Sequence, residues 1–168
     1  TLATWQEGMQ AGGGWNAVFW DNHDQPRALS RFGTDGSLRI PAAKMLALFM
    51  DLLRGTPYIY QGDELGSTNA HFTSIEEFND VESRNYYKIL REQDKTEAET
   101  LDIIAQRSRD DSRTPMQWDA SENAGFTTGT PWIGVADNYT AINAAAQMDD
   151  PDSIRSFYKT LVALRKKM

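Results

Sequence analysis

Two short apolar runs, each ending abruptly in polar and charged residues, set the pattern of this chain. The first is Trp15–Trp20, followed by Asp21-Asn22-His23-Asp24-Gln25-Pro26-Arg27. The second runs from Thr56 to Gln61 and ends in Gly62-Asp63-Glu64. Apolar runs of this length, bounded by turn formers, predict strands. Between them, residues 27–39 read as a loop with a turn signal at Thr34-Asp35-Gly36. A helix is predicted over 41–54, with Pro41 in its first turn, Met45, Leu46, Phe49, Leu52 and Leu53 on one face, and Gly55 as its stop. Strand, helix, strand with short links is a βαβ unit and implies parallel neighbours. A strand that delivers Asn, His, Asp and Arg at its carboxyl end suits an α/β enzyme, where ligands bind beyond the strand tips. A solvated turn built from Asn, Asp and Pro explains the same residues, and composition does not separate the two.

The remaining pattern is mostly helical. Thr1–Gln10 reads as the end of a helix, and Gly12-Gly13-Gly14 as a flexible stop, without the strand and helix that a phosphate-cradling loop needs. Ser74 with Glu77, and Thr96 with Glu99, fit the capping box at two helix starts. Ile75, Phe78 and Tyr86 fall on the first of these helices, and Leu101, Ile104 and Ala105 on the second. Thr114-Pro115 breaks the pattern, and residues 123–139 form a long loop holding Phe126 and Trp132, of a length that is usually functional. A last helix starts near Asp150-Pro151 and places Ile154, Phe157, Tyr158, Leu161 and Leu164 on one side. Arg165-Lys166-Lys167 at its end complement the helix dipole.

Composition narrows the partners. With 168 residues, 40% hydrophobic and 24% charged, the chain is long enough for a sizeable core and is not a disordered sequence. A formal net charge of −7 argues against nucleic acid or an anionic membrane and suits a neutral substrate such as a sugar. The lack of cysteine rules out disulfides and thiolate zinc sites within these residues and allows a reducing compartment. No apolar run has membrane-spanning length, and no secretory signal is expected at the N-terminus. Aromatic residues, at 11%, suit sugar stacking or a large core alike.

At Phe19-Trp20-Asp21-Asn22-His23-Asp24-Gln25-Pro26-Arg27 the chain resembles the α-amylase superfamily, glycoside hydrolase family 13. More narrowly, it is similar to the branch of oligo-1,6-glucosidases, dextran glucosidases and trehalose-6-phosphate hydrolases. Gly55–Gly66, Arg109–Trp118 and Ala124–Trp132 agree in the same order and approximate spacing. The resemblance implies the C-terminal portion of a (β/α)8 barrel, with strands seven and eight, their helices and a helical insertion, incomplete on its own. Residues 1–168 are then one segment of the catalytic barrel, with no complete second domain.

The resemblance also implies roles. Asp24 becomes the third catalytic carboxylate, which stabilises an oxocarbenium-like transition state. His23 hydrogen-bonds the same sugar hydroxyls, and Arg109 holds the non-reducing glucose. A local ion pair with Asp110 or Asp111 is the plainer reading of Arg109. The nucleophilic Asp and the acid/base Glu belong to barrel segments not represented here. The expected activity of the whole protein is therefore hydrolysis of α-1,6-linked gluco-oligosaccharides by a cytoplasmic exo-acting α-glucosidase, with trehalose 6-phosphate as the competing substrate. A non-catalytic binding or scaffold relative is a third reading, and an acidic helical interaction module a fourth. No cofactor and no metal site are expected. The remainder of the barrel is the expected protein partner, with self-association if the segment is isolated.

Asn22 and Arg27 are expected to support the loop. Asp63 and Glu64 tempt as an acid/base pair, but their family position implies a supporting role. Trp118, Phe126 and Trp132 could line an entrance or fill the core. The chain departs from the family pattern at Asp63, where Glu is usual, at Ser67, where Met is usual, and at Asp111, where many relatives have Asn.

Overall fold

The computed structural model describes residues 2–167; Thr1, expected in the first helix, lies outside them. Helix α1 (Leu2–Ala11) ends at the glycines, with Gly13 at a left-handed φ of 70° that costs a residue without Cβ little. Strand β1 (Ala17–Val18) pairs in parallel with β2 (Thr56–Pro57), in the register Ala17 with Thr56 and Val18 with Pro57. The expected runs Trp15–Trp20 and Thr56–Gln61 are thus far shorter as strands. Each has a single neighbour among the described residues, so flanking backbone groups find no ladder to join. Trp20 leaves the strand line altogether, its indole Nε1 donating to the Leu46 carbonyl at 2.8 Å.

The connection 27–39, expected as a loop, contains a helix, α2 (Ala28–Phe32). Five residues are too few to show a period, and the helix depends on a distant acceptor: Ala28 N–H donates to Asp21 Oδ1 at 2.6 Å. Helix α3 (Arg39–Asp51) follows. Pro41 sits in its first turn as expected, where its missing N–H has no intrahelical partner to lose. The buried face is different from the one expected. Ala43, Leu46, Ala47 and Met50 are buried, whereas Met45, Phe49 and Leu52 are exposed. The small Ala43 and Ala47 let α7 (Ile154–Arg165) approach closely, while Phe49 on the other side stacks on Trp20 with ring centroids 5.8 Å apart. Ile154, Tyr158 and Leu161 of α7 complete this core with Leu29, while Leu164 stays exposed. Arg165 does more than complement its own helix: it donates to the carbonyls of Asp51, Leu53 and Gly55 at the end of α3.

A second core lies under the insertion and gathers Ala70, Phe72, Phe78, Ile104, Ile133 and Ala136. Phe72 and Phe78 meet edge to face, with ring centroids 5.2 Å apart. The Ser74–Glu77 capping box is present, but it caps only a 3₁₀ turn, Ile75–Glu77. Phe78 then turns extended to enter the core, and α4 (Val81–Glu92), which carries Tyr86, starts afresh on the N-cap Asp80. The Thr96–Glu99 box caps α5 (Glu97–Ala105) as expected. The segment 123–139 holds no α-helix or strand; a short helix, α6 (Ala144–Gln147), links it to α7. Among the described residues no helix is long and apolar enough to cross a membrane.

Candidate active site

Beyond the tip of β1 the chain turns, and its polar side chains part. Asp21 turns inward and is buried, while His23 and Asp24 remain accessible. Asn22 sets this divergence, its Oδ1 accepting the Asp24 N–H at 2.8 Å in an Asx-type turn. Arg27 is buried and structural, as expected. Its N–H donates to Asn69 Oδ1 at 3.0 Å and its Nη1 to the Gln61 carbonyl at 2.6 Å, joining the two strand tips.

The acids after β2 also serve the backbone. Asp63 Oδ2 accepts the Tyr60 N–H at 3.1 Å, and Glu64 Oε2 accepts the Gly62 N–H at 2.9 Å. Burial, then the adjacent carboxyl of Asp21, pushes the Asp63 carboxyl up to about 9. Burial raises Asp21 as well, against a hydrogen bond to Asp63 and the charge of Arg27. Two carboxyls so close in a buried site hold one proton between them rather than two charges. Asp63 and Glu64 are thus occupied in fixing the turn, in line with the supporting role that the family resemblance implied.

The 3₁₀ turn Arg109–Ser112 docks on both tips. The Tyr60 hydroxyl donates to the Ser112 carbonyl at 3.0 Å, and Ser112 Oγ donates to the Gln25 carbonyl at 2.6 Å. This docking brings Arg109 Nη1 to 3.7 Å from Asp24 Oδ1, while the neighbouring His23 Nε2 lies 3.4 Å from Asp24 Oδ2. The three residues singled out from the sequence therefore converge. Arg109 is also ion-paired, but with Asp80 rather than with Asp110 or Asp111. Burial alone raises the Asp80 carboxyl, yet hydrogen bonds from Arg109 and Ser83 outweigh it and hold the group below the usual carboxylate range. Asp110 is taken by the N–H groups of Asn79 and Asp80, at 2.6 and 2.7 Å. Asp111 accepts the Ala70 N–H at 3.0 Å, and burial pushes its carboxyl up to about 7.

Two charged residues here were missed from the sequence. Asp80 looked like one acid among many in the insertion, and Arg113 lies within a stretch already assigned through Arg109. The signal was the recurrence of arginine four residues after Arg109. Beside the cluster opens a cleft of about 390 Å³, walled by Phe19, His23, Tyr58 and Tyr60. Trp118, Phe126 and Trp132 are each about half exposed or more, so none of them belongs to either core of this segment. Among the described residues no group of three or more His, Asp or Glu side chains is arranged to hold a metal ion.

Two parallel strands joined through a helix, with charged groups beyond their carboxyl ends, fit a piece of a (β/α)8 barrel. The chain matches the alpha-amylase catalytic domain over residues 1–168 and belongs to that family. It is 55% identical over 165 residues to a trehalose-6-phosphate hydrolase of Bacillus subtilis, covering 98% of this chain and 29% of that protein. It is 52% identical to an oligo-1,6-glucosidase of Parageobacillus thermoglucosidasius, covering 99% of this chain and 30% of the relative. Among solved structures, the trehalose-6-phosphate hydrolase of Bacillus licheniformis superposes with a TM-score of 0.97 at 58% identity, over 99% of this chain and 30% of that one. The chain thus spans about 30% of the length of the curated relatives it matches and is a partial barrel.

Proposed function

We propose that this segment belongs to a retaining, exo-acting α-glucosidase that hydrolyses short α-1,6-linked gluco-oligosaccharides and releases glucose. The observation that carries the reading is the convergence of Arg109 on Asp24 beside His23, at the carboxyl edge of the strand pair. In this reading Asp24 supplies a fixed negative charge where the anomeric carbon becomes cationic, and such a group acts most strongly in a site shielded from water. His23 hydrogen-bonds the adjacent sugar hydroxyls. Arg109 closes the pocket around the terminal glucose, which favours release of one sugar over cleavage inside a polymer. The nucleophile and acid/base of a retaining enzyme stand about 5–5.5 Å apart across the bond and come from barrel segments outside these residues. The segment alone is then inactive, and the rest of the barrel is its obligatory partner. The setting is cytoplasmic, consistent with a chain free of cysteine.

A second reading, hydrolysis of trehalose 6-phosphate, is favoured by a specific observation: identities of 55% and 58% to trehalose-6-phosphate hydrolases, against 52% to the oligo-1,6-glucosidase. Both substrates present a terminal glucose to Asp24, His23 and Arg109, so these residues do not discriminate between them. Glucose release by the full-length enzyme from isomaltose and from trehalose 6-phosphate, side by side, decides the substrate. Asp24→Asn in the same enzyme should lower turnover on either by several orders of magnitude with the fold intact. Near-normal turnover in that variant removes Asp24 from the mechanism.

A further inference from the structure

Arg113 has no role in the scheme above, yet its guanidinium makes the shortest cationic contact to Asp24 among the described residues. Nη2 donates to Asp24 Oδ1 at 3.1 Å, whereas Arg109 Nη1 stands off at 3.7 Å. Nε donates to the His23 carbonyl at 2.9 Å. Nη1 faces the other way, 4.0 Å from Asp80 Oδ1 and 3.9 Å from Asp110 Oδ1. One planar group thus grips both the side chain and the backbone of the loop that carries Asp24, and its far edge rests against two buried carboxylates.

That division of labour suits arginine and not lysine, because only a rigid fork presents several donors in fixed directions. It also answers a physical need. Asp24 is half exposed, and without a tether its carboxylate would exchange rotamers freely. A charge that acts on a transition state is most effective when it is oriented before the reaction begins.

We propose that Arg113 is a positioning residue, which fixes the Asp24 carboxylate and the His23 backbone in working orientation and acts on the reaction through Asp24. The inference rests on the reading of Asp24 as the transition-state stabiliser. A plain surface ion pair would leave catalysis unchanged when removed.

The test is a double-mutant cycle in the full-length enzyme, read by steady-state kinetics on p-nitrophenyl α-glucoside. Arg113→Gln should lower kcat by about 10²-fold, the scale of a small misplacement at a reacting centre, with KM within about threefold of the parent. Arg113→Lys should recover part of that loss. In the Asp24→Asn background, Arg113→Gln should cost no more than about threefold further, because two groups acting as a unit are not additive. Parental kcat in Arg113→Gln overturns the proposal. So does a raised KM at unchanged kcat, which marks a direct substrate contact, or a full multiplicative loss in the double variant. Should Arg113→Gln fail to fold, Arg113→Lys carries the same cycle. The two readings fail differently: parental turnover in Asp24→Asn defeats both, whereas collapse in Asp24→Asn with parental turnover in Arg113→Gln defeats this one alone.

Discussion

Asp80 and Arg109 form an ion pair across the join between the insertion and the strand tips, with the carboxylate buried and the guanidinium partly exposed. Asp80 has a second duty. It is the N-cap of α4, and its Oδ2 accepts the Ser83 N–H at 3.2 Å. The start of a helix in the insertion therefore fixes the arginine that reaches Asp24.

Asparagine caps helices about as well as aspartate, so the two duties can be separated. Asp80→Asn should keep α4 in place while freeing Arg109, and the full-length enzyme should show a raised KM with little change in melting temperature. Asp80→Ala should show the same KM effect and lose in addition about 1 kcal/mol of stability from the missing cap. Equal KM in Asp80→Asn and the parent would mean that Arg109 is held well enough without its partner.

The Asp21–Asp63 pair makes stability depend on pH in the direction opposite to most carboxylates. The folded-state value of Asp63 is raised to about 9, so the native state retains a proton that the unfolded chain has already lost above its ordinary carboxylate range. The native state then binds more protons than the unfolded state, and stability falls as pH rises between that range and about 9. Asp63→Asn supplies a neutral amide in the same shape. Urea denaturation of the full-length enzyme at pH 6 and pH 8.5 should show a loss of stability in the parent and a smaller loss in the variant. Identical slopes with pH would show that Asp63 is ionised in the folded protein.

Elements set by local chemistry were legible in the sequence, and those set by distant partners were not. The Thr96–Glu99 box caps α5 with groups three residues apart, and the two strands with α3 between them follow from local apolar runs and stops. By contrast, the Ser74 box promises a longer helix than it caps. Asp110, about thirty residues away, takes the N–H groups of Asn79 and Asp80, and Phe78 is drawn into a core of residues from elsewhere. Helix α2 was hidden because Asp21 caps it from across a turn. The buried face of α3 was misjudged because bulk suggested burial, while close packing against α7 selects Ala43 and Ala47. Of the site, Asp24, His23 and Arg109 came from resemblance. Arg113 and Asp80 needed the geometry, because neither residue type nor spacing says which acid meets which base.

His71 joins three separate segments through its ring. Nε2 lies 3.3 Å from Asp35 Oδ2 and Nδ1 3.1 Å from Asp137 Oδ1, which ties the α2–α3 connection to the long 123–139 segment. Its backbone is left-handed, at φ 56°, uncommon for a residue other than glycine. Burial alone lowers the imidazole, but the two aspartates outweigh it and raise it above its ordinary value. A group with a raised folded value contributes stability below its unfolded value and loses it as pH rises through the folded one. Limited proteolysis within 123–139 should accelerate at pH 8.5 relative to pH 6 in the parent. In His71→Asn, which tolerates the left-handed backbone, cleavage should be fast at both. A parent with the same cleavage rate at both pH values would show that the aspartates hold this segment without the charge on His71.

Trp15, Phe19 and Tyr58 lie on or beside the strand pair and are each at least half exposed, and Trp5 on α1 is more exposed still. Both strands have a free edge among the described residues, since each pairs only with the other. In a complete barrel neighbouring strands cover such edges and faces. Left bare, unpaired strand edges and contiguous apolar surface promote association. The isolated 168-residue chain should therefore sediment as oligomers at micromolar concentration, and Phe19→Ser with Tyr58→Ser should shift it towards monomer. Trp15 Nε1 donates to Thr56 Oγ1 at 2.9 Å across the strand pair, so it is left in place to keep the two strands joined. A monodisperse monomer for the unmodified chain would mean that its apolar faces find cover within the segment itself.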